Sequence, residues 1–507
     1  MKAIKLDEGK YLTEQISEIS VRGWNDNKVV LDCPTGMGKT TLINELVATV
    51  AGKQNGKVLF LSSRTALTEQ QLKNLKNLGV NNMEVKTYQW LENLIKQNKT
   101  DTINKFYDFI VADECHYFTN DATFNDNTAI SYKWIEAQPT VIYMSATGET
   151  IFKFMKDKNK IDLYYYADYN YSQVSTITFC HSDEHMIECI EDVYNNGEKM
   201  IVFMDKIVRN GELGTRTHTP LMQWFLEHKD DSNFICSKHN DTYKSINEFE
   251  TAIVDGKFEK QFLFATQALE VGIDIKDPEC KHIMVEMFDV DSVIQALGRI
   301  RNKNNAHYYI RVYDKKALHG KAMTLKNNKL NKIKEFKALE TLDERWNFCH
   351  GKGNFNSCDG LFYVDIFDEK KDIKVNELME YKYNDIYNQY ISAIESGEDG
   401  EYSRHPHVNR WIDDFINIGN FKGQFIDMGL RDEENGTNEI KEYLDSLVDI
   451  RLDKEQRNEL IEKLNVRGKN GETRKTVKPI NQWLMENGFD YIIVDKRGKW
   501  TITKIVD

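Results

Sequence analysis

Nine residues, Cys33-Pro34-Thr35-Gly36-Met37-Gly38-Lys39-Thr40-Thr41, stand between a run of apolar β-formers, VVLD, and a segment of helical period, TLINELVATV. Their types and spacing suit phosphate chemistry. Gly36 and Gly38 let the backbone turn its N–H groups toward phosphate oxygens with no Cβ in the way, and the start of the following helix adds a favourable dipole. Lys39 is placed to hold the β- and γ-phosphates of ATP and the Thr40 hydroxyl to ligate Mg²⁺, with Met37 and Thr41 completing the loop. Cys33 stands where the simplest phosphate-loop pattern has Gly, a position that mainly needs a small residue. The alternative is a Gly-rich β–α turn with a coincidental Lys-Thr; the strand before it and the helix after it argue against that.

A second apolar run leads straight into Asp113-Glu114-Cys115-His116. Two adjacent acids at a strand end are costly unless a cation sits there. In a nucleotide site that cation is Mg²⁺, held by Asp113 directly or through water, which leaves Glu114 to orient and deprotonate the attacking water. Alone, the pair reads as a solvated loop. It gains weight from following the phosphate loop within one βα series.

Positioning these groups falls to short β-branched runs that alternate with helical-period segments over the first 315 residues: VVLDC (29–33), KVLFLSS (57–63), DFIVADE (108–114) and TVIYMSA (140–146), then a second series of VSTITFC (174–180), KMIVFMD (199–205), NFICSK (233–238), QFLFAT (261–266), HIMVEMF (282–288) and HYYIRVY (307–313). This is the pattern of two α/β lobes with parallel sheets, whose ligands bind at the carboxyl ends of the strands. The expected organisation is a first lobe over 1–170, a second over 171–316, a mainly helical region over 317–465 and a tail over 466–507. The tail reads as a helix, a strand, a KRGK turn and a second strand, a winged-helix outline with more basic than acidic residues. A small terminal packing module is its alternative.

Composition bounds the rest. The 507 residues, 59.3 kDa, suggest about three domains. With 40% hydrophobic and 29% charged residues, 6 Pro and 28 Gly, the chain is neither collagen-like nor broadly disordered. A net charge of −13 excludes a general polyanion binder, so contact with nucleic acid must use a local basic surface. No stretch reaches the about 18 apolar residues of a membrane span, and the start has no apolar leader core. A soluble, cytoplasmic chain with no membrane partner is expected. Eight cysteines without a CxxC pair fit reduced thiols.

CPTGMGKT, DECH and the Ser145-Ala146-Thr147 that closes VIYM are similar to motifs of superfamily 2 helicases. The resemblance implies two tandem RecA-like lobes and further signals, which occur in the family's order. Ser63-Arg64 and Thr87-Tyr88-Gln89 match first-lobe motifs that contact the nucleic-acid backbone. In the second lobe, ATQALEVGIDI (265–275) resembles the motif whose Thr, here Thr266, touches the strand and whose Gly-x-Asp, Gly272 and Asp274, couples to the nucleotide. Gln295-Ala296-Leu297-Gly298-Arg299-Ile300-Arg301 resembles the last motif, whose Gln and arginines face the γ-phosphate; Arg299 matches the arginine finger. The usual second arginine position holds Asn302, with Arg301 one residue short. His116, Ser145 and Thr147 carry the coupling between hydrolysis and strand. The spelling QALGRIRN resembles the herpesvirus origin-binding and related viral or phage branch. It implies an ATP- and Mg²⁺-dependent DNA helicase or translocase serving the replication or recombination of a virus, phage or mobile element. Its partners would be single-stranded, forked or branched DNA and replication proteins, in a bacterial or infected-cell cytoplasm. Two alternatives stay open: an ATPase that remodels or binds an origin or junction without unwinding, and an RNA helicase.

Other candidates are weaker. Cys349, His350, Cys358, His405 and His407 could be assembled into a zinc site, but their spacing is irregular. Tyr11 and Gln15 read either as adenine contacts or as helix packing. Lys321, Lys326, Lys329, Lys332, Lys334 and Lys337 form either a solvated helix face or a strand contact. In the tail, Lys478 and Arg497 would lie on a recognition helix and a wing.

Overall fold

In a computed structural model of the chain, all residues are described except 64, 101–105, 211–215, 238–239, 249–250, 267–274, 289, 300–303, 351–359, 396–407, 409–410, 413–419, 467–472, 496–498 and 506–507. Two compact units are present, Met1–Ile426 and Asp427–Asp507.

The first unit holds two parallel sheets flanked by helices, the α/β class expected from the alternation of runs. The first sheet contains β1 (Lys2–Lys5), β2 (Lys28–Asp32), β3 (Val58–Ser62), β4 (Met83–Thr87), β5 (Phe109–Asp113), β6 (Val141–Ser145) and β7 (Leu163–Tyr166), in the order β1-β7-β2-β6-β5-β3-β4. Central strands are apolar on both faces because helices cover both. Val29, Leu31, Phe60 and Val111 enter one core cluster, while Val30, Leu59, Leu61, Ile110 and Ala112 enter the other. The register sets Asp32 opposite Ser145 and Asp113 opposite Met144, so the ends of β2, β6 and β5 form one edge. β1 and β7 were not foreseen.

The second sheet follows the chain through β8 (Val174–Cys180), β9 (Lys199–Phe203), a hairpin of β10 (Val208–Asn210) and β11 (Arg216–His218), then β12 (Ser232–Ile235), β13 (Phe262–Ala265), β14 (Cys280–Val285) and β15 (Ala306–Arg311). Its order is β12-β13-β9-β14-β15-β8-β18, where β18 is Gln424–Asp427. All six runs anticipated for this lobe are strands.

Beyond β15 come helices at Lys315–Leu325 and Asn331–Lys337, joined by a wider turn of helix at Lys326–Leu330, a helix Leu342–His350, an antiparallel hairpin of β16 (Phe362–Val364) and β17 (Ile373–Val375), and a long helix Glu377–Glu395. That last helix touches both lobes. Tyr381 donates to Asp157 at 2.5 Å, Lys382 to Asn120 at 2.8 Å, and Asp385 pairs with Lys153, all in the first lobe. Further along, Tyr390 stacks on Phe288 of the second lobe at 4.1 Å. Four of the six lysines in the stretch have partners on neighbouring elements. The Lys326 and Lys329 ammonium groups lie over the Tyr387 and Tyr383 rings, Lys337 pairs with Glu380, and Lys321 lies over Tyr313 at 4.4 Å.

The second unit comprises helices Met428–Ser446, Lys454–Leu464 and Val477–Glu486 with β19 (Arg451–Leu452), β20 (Tyr491–Asp495) and β21 (Trp500–Lys504) in an antiparallel sheet ordered β19-β21-β20. Leu444, Leu460, Ile480, Leu484, Ile493 and Ile502 fill its core, and Trp483 packs beside it on Phe489. Asp453 and Gln456 close a capping box at the middle helix. Among the described residues no helix is long and apolar enough to cross a membrane.

Candidate nucleotide site

The phosphate loop leaves β2 at Asp32 and turns with Gly36 at φ 91° and Gly38 at φ 81° before the helix that starts at Lys39. Both values lie in the left-handed region that glycine alone adopts cheaply. At Gly38 a Cβ would also meet the Tyr11 ring at 3.4 Å. Cys33 is buried and its thiol pushed up to about 12 by that burial, so it fills the first loop position as a small neutral group. Met37 is buried; its carbonyl accepts the Leu12 N–H at 2.9 Å, tying the loop to the preceding segment. Lys39 donates its ammonium to the carbonyls of Cys33 (2.7 Å) and Pro34 (3.2 Å). Thr40 and Thr41 occupy the first helical turn. Gln15 is committed locally: its amide exchanges hydrogen bonds with the Asp7 backbone at 2.7 and 3.0 Å and donates to the Lys10 carbonyl. Tyr11 is exposed beside the loop.

Next along the edge, β5 ends at Asp113. Burial first, then the charge of Glu114, pushes the Asp113 carboxyl up to about 8, against the pull of Lys39. A buried carboxyl beside a second acid is one whose ionised form a divalent cation would stabilise. Among the described residues no group of three His, Cys, Asp or Glu side chains could by itself hold a metal ion. Glu114 adopts φ 48°, a left-handed conformation that costs an L-residue roughly 1 kcal/mol. Its N–H donates to Asp113 Oδ1 at 3.0 Å.

The third strand end closes the site. His116 Nδ1 lies 3.0 Å from Ser145 Oγ, 3.4 Å from Thr147 Oγ1 and 3.4 Å from Glu114 Oε2. Ser145 Oγ also donates to Glu114 Oε2 at 3.4 Å and accepts the Thr147 N–H at 3.0 Å. Two sequence-distant signals, DECH and SAT, therefore share one buried polar network whose free end is Glu114. Sequence reasoning missed a neighbouring group. Asp32, whose carboxyl burial pushes up, accepts the Tyr164 hydroxyl, and the Lys156 ammonium lies 3.7 Å from the centre of that ring. An acid at the strand end just before the loop was the available signal.

The remaining expected residues divide as follows. Ser63 is buried after β3, and Thr87 caps the helix Tyr88–Lys96, accepting the Trp90 N–H at 3.2 Å. Tyr88 differs from expectation: it is fully buried, so its side chain does not offer a contact to a bound strand. It is turned inward because Tyr88, Leu91, Glu92 and Ile95 form the buried face of that helix. Thr266 follows β13, its N–H on the Ile235 carbonyl. Arg299 follows the helix Val290–Leu297 and its carbonyl accepts the Ile275 N–H at 2.9 Å. The Gln295 backbone belongs to that helix, but its side chain, together with Arg64, Gly272, Asp274, Arg301 and Arg497, lies outside the described residues, as do Cys358, His405 and His407. Cys349 is buried and His350 stacks on Trp346. Lys478 is exposed on the helix Val477–Glu486 of the second unit.

Residues 8–150, which carry the phosphate loop, the acid pair and Ser145–Thr147, match the family model described as type III restriction enzyme, res subunit. No curated protein sequence matches the chain. Similar solved structures include Mycobacterium smegmatis helicase Lhr bound to ssDNA and AMP-PNP, at 18% identity and TM-score 0.38, covering 59% of this chain and 46% of that one. The Escherichia coli DExH-box NTPase HrpB follows at 14% identity and TM-score 0.40, covering 59% and 41%. Saccharomyces cerevisiae Dbp5 bound to RNA and ADP BeF3 is 13% identical at TM-score 0.40, covering 59% and 82%. The match thus spans less than half the length of the first two.

Proposed function

We propose that the protein is a helicase-type, nucleic-acid-dependent ATPase of superfamily 2, acting on DNA as a translocase that separates strands. One observation carries this: Glu114, after the strand that pairs with the phosphate-loop strand's neighbour, is hydrogen-bonded into the network of His116, Ser145 and Thr147, so the group suited to activating water is tied to the end of a second strand. In this reading Gly36, Met37, Gly38, Lys39, Thr40 and Thr41 bind the phosphates. Thr40 and Asp113 would hold Mg²⁺, which when bound would neutralise phosphate charge. Glu114 takes the proton of the attacking water. From the lobe over 171–316, Arg299, with Gln295 and Arg301, stabilises charge on the transferring phosphoryl when the lobes close, and Gly272 and Asp274 couple to the nucleotide. Ser63, Arg64, Thr87 and Thr266 touch phosphates of one strand, giving little sequence preference and strong salt dependence.

The second unit supports a specificity role. Its helix–strand–helix–helix–strand–strand order and its β19-β21-β20 sheet suit a winged helix, in which the helix that carries the exposed Lys478 would be the recognition helix. This favours, as a second reading, an origin- or junction-binding protein whose ATPase is a switch. Assays of hydrolysis and strand displacement on forked DNA, tailed DNA, RNA duplex and a four-way junction test both. Wild type is expected to hydrolyse ATP faster with DNA and to displace a strand, and Lys39→Ala to do neither. Junction binding retained in Lys39→Ala, with no displacement by wild type, selects the switch. Hydrolysis that Lys39→Ala leaves unchanged overturns both.

A further inference from the structure

The helix Tyr88–Lys96 has two different ends. Its outer end offers exposed Gln89 and half-buried Lys86, Thr87 and Trp90. Its inner face grips the turn that follows β5. Tyr88 and Glu92, one helical turn apart, both hold Tyr117: the Tyr88 and Tyr117 rings stack at 4.4 Å, and the Tyr117 hydroxyl donates to Glu92 at 2.8 Å. Glu92 is buried and also accepts from Asn125 at 2.8 Å and Ser131 at 3.1 Å, so the charge is satisfied.

The Tyr88 hydroxyl then donates to the Asp113 carbonyl at 2.8 Å. That carbonyl belongs to the peptide joining Asp113 to Glu114, the residue in the left-handed conformation. Rotating this peptide re-aims the Glu114 side chain. The Tyr88 ring is buried and clamped by Tyr117 and Phe118, and its bond to the peptide is partly buried, so a shift of the helix start is passed on to the peptide.

We propose that Tyr88 is a positioning residue through which a nucleic-acid strand, bound at the outer end of this helix, sets the Asp113–Glu114 corner for hydrolysis. The inference rests on the reading of the chain as a nucleic-acid-stimulated ATPase. Tyr88→Phe keeps the stack and removes only the hydroxyl. Hydrolysis by the full chain is measured with and without poly(dT) and poly(U), alongside polymer affinity by fluorescence anisotropy. In Tyr88→Phe, kcat at saturating polymer is expected to fall about fivefold or more, with KM for ATP and polymer Kd within about twofold of wild type. Tyr117→Phe, which removes one of the three donors to Glu92 but leaves the Tyr88 bond, is expected to show a smaller loss. Unchanged stimulated kcat in Tyr88→Phe overturns the proposal, as does a loss of polymer binding that accounts for the fall. Should Tyr88→Phe fold poorly, hydrogen–deuterium exchange of the wild-type chain decides instead: unchanged protection over residues 109–118 on adding poly(dT) overturns the proposal. A wild-type chain whose hydrolysis ignores both polymers overturns the functional reading itself, and the relay with it, before any variant is made.

Discussion

The two lobes share an architecture and differ at the same edge. In the first, the carboxyl ends of β2, β5 and β6 carry positive-φ glycines, an acid pair and small hydroxyls, leaving backbone N–H groups and oxygens for a ligand. In the second, the described residues at the ends of β9, β14 and β15 are tied to one another by their own side chains. Glu286 after β14 accepts the Asp205 N–H at 3.1 Å, Arg311 of β15 approaches Asp183 at 3.6 Å, Tyr313 donates to the Glu286 carbonyl at 2.9 Å, and Lys321 lies over Tyr313. A parallel sheet offers a place for a ligand; turn chemistry decides whether it is open. The second lobe's expected contribution is Arg299, from the turn after a helix.

That division can be broken most sharply by exchanging the chemistry removed. Glu114→Gln is expected to lower kcat about 10³-fold with nucleotide affinity kept within a few fold, and Arg299→Ala to lower it at least about 10²-fold with the same retention. Single-turnover hydrolysis alongside binding of a fluorescent nucleotide checks both; a tenfold loss of affinity in Arg299→Ala would mean that the second lobe also binds the ground state. Glycines give the next contrast. Gly38→Ala is expected to raise KM for ATP by about tenfold or more, whereas Gly197→Ala, at φ 69° with open space for a Cβ, is expected to cost about 1 kcal/mol in chemical denaturation and leave KM unchanged.

Titration separates the edges further. Burial pushes the Glu286 carboxyl from its ordinary 4.5 up to about 7. Between those values the folded protein holds a proton that the unfolded chain has released, so this group's contribution to stability falls as pH rises through that window and its penalty is full above it. Glu286→Gln removes the penalty. The variant is expected to gain about 1–2 kcal/mol on wild type between pH 5 and pH 8 in denaturant titrations, with hydrolysis at the first lobe unaffected. The smallest effect falls on the cation over the ring: Lys321→Met is expected to cost about 0.5–1 kcal/mol of stability, read as a drop in thermal midpoint, with no change in KM.

The central strands were legible because burial on both faces writes continuous β-branched and aromatic runs. β1 and β7 were not: KAIK is a mostly exposed edge strand and LYYY lies between polar segments. The phosphate loop, acid pair and SAT signal are local in sequence and were found; their shared hydrogen bonds were not, since these depend on strand register. Asp32 and Tyr164 lie 132 residues apart, and no local pattern joins them. Tyr88 is the instructive error. Its motif neighbours suggested a surface role, yet the spacing of Tyr88, Leu91, Glu92 and Ile95 already described a buried helical face.

The helix Glu377–Glu395 has a mechanical consequence. Because its first half is bonded to one lobe and its second half stacked on the other, the lobes are not free to swing apart as two bodies on a flexible tether. Any relative movement of the two lobes must therefore either carry this helix along or break one of its two sets of contacts.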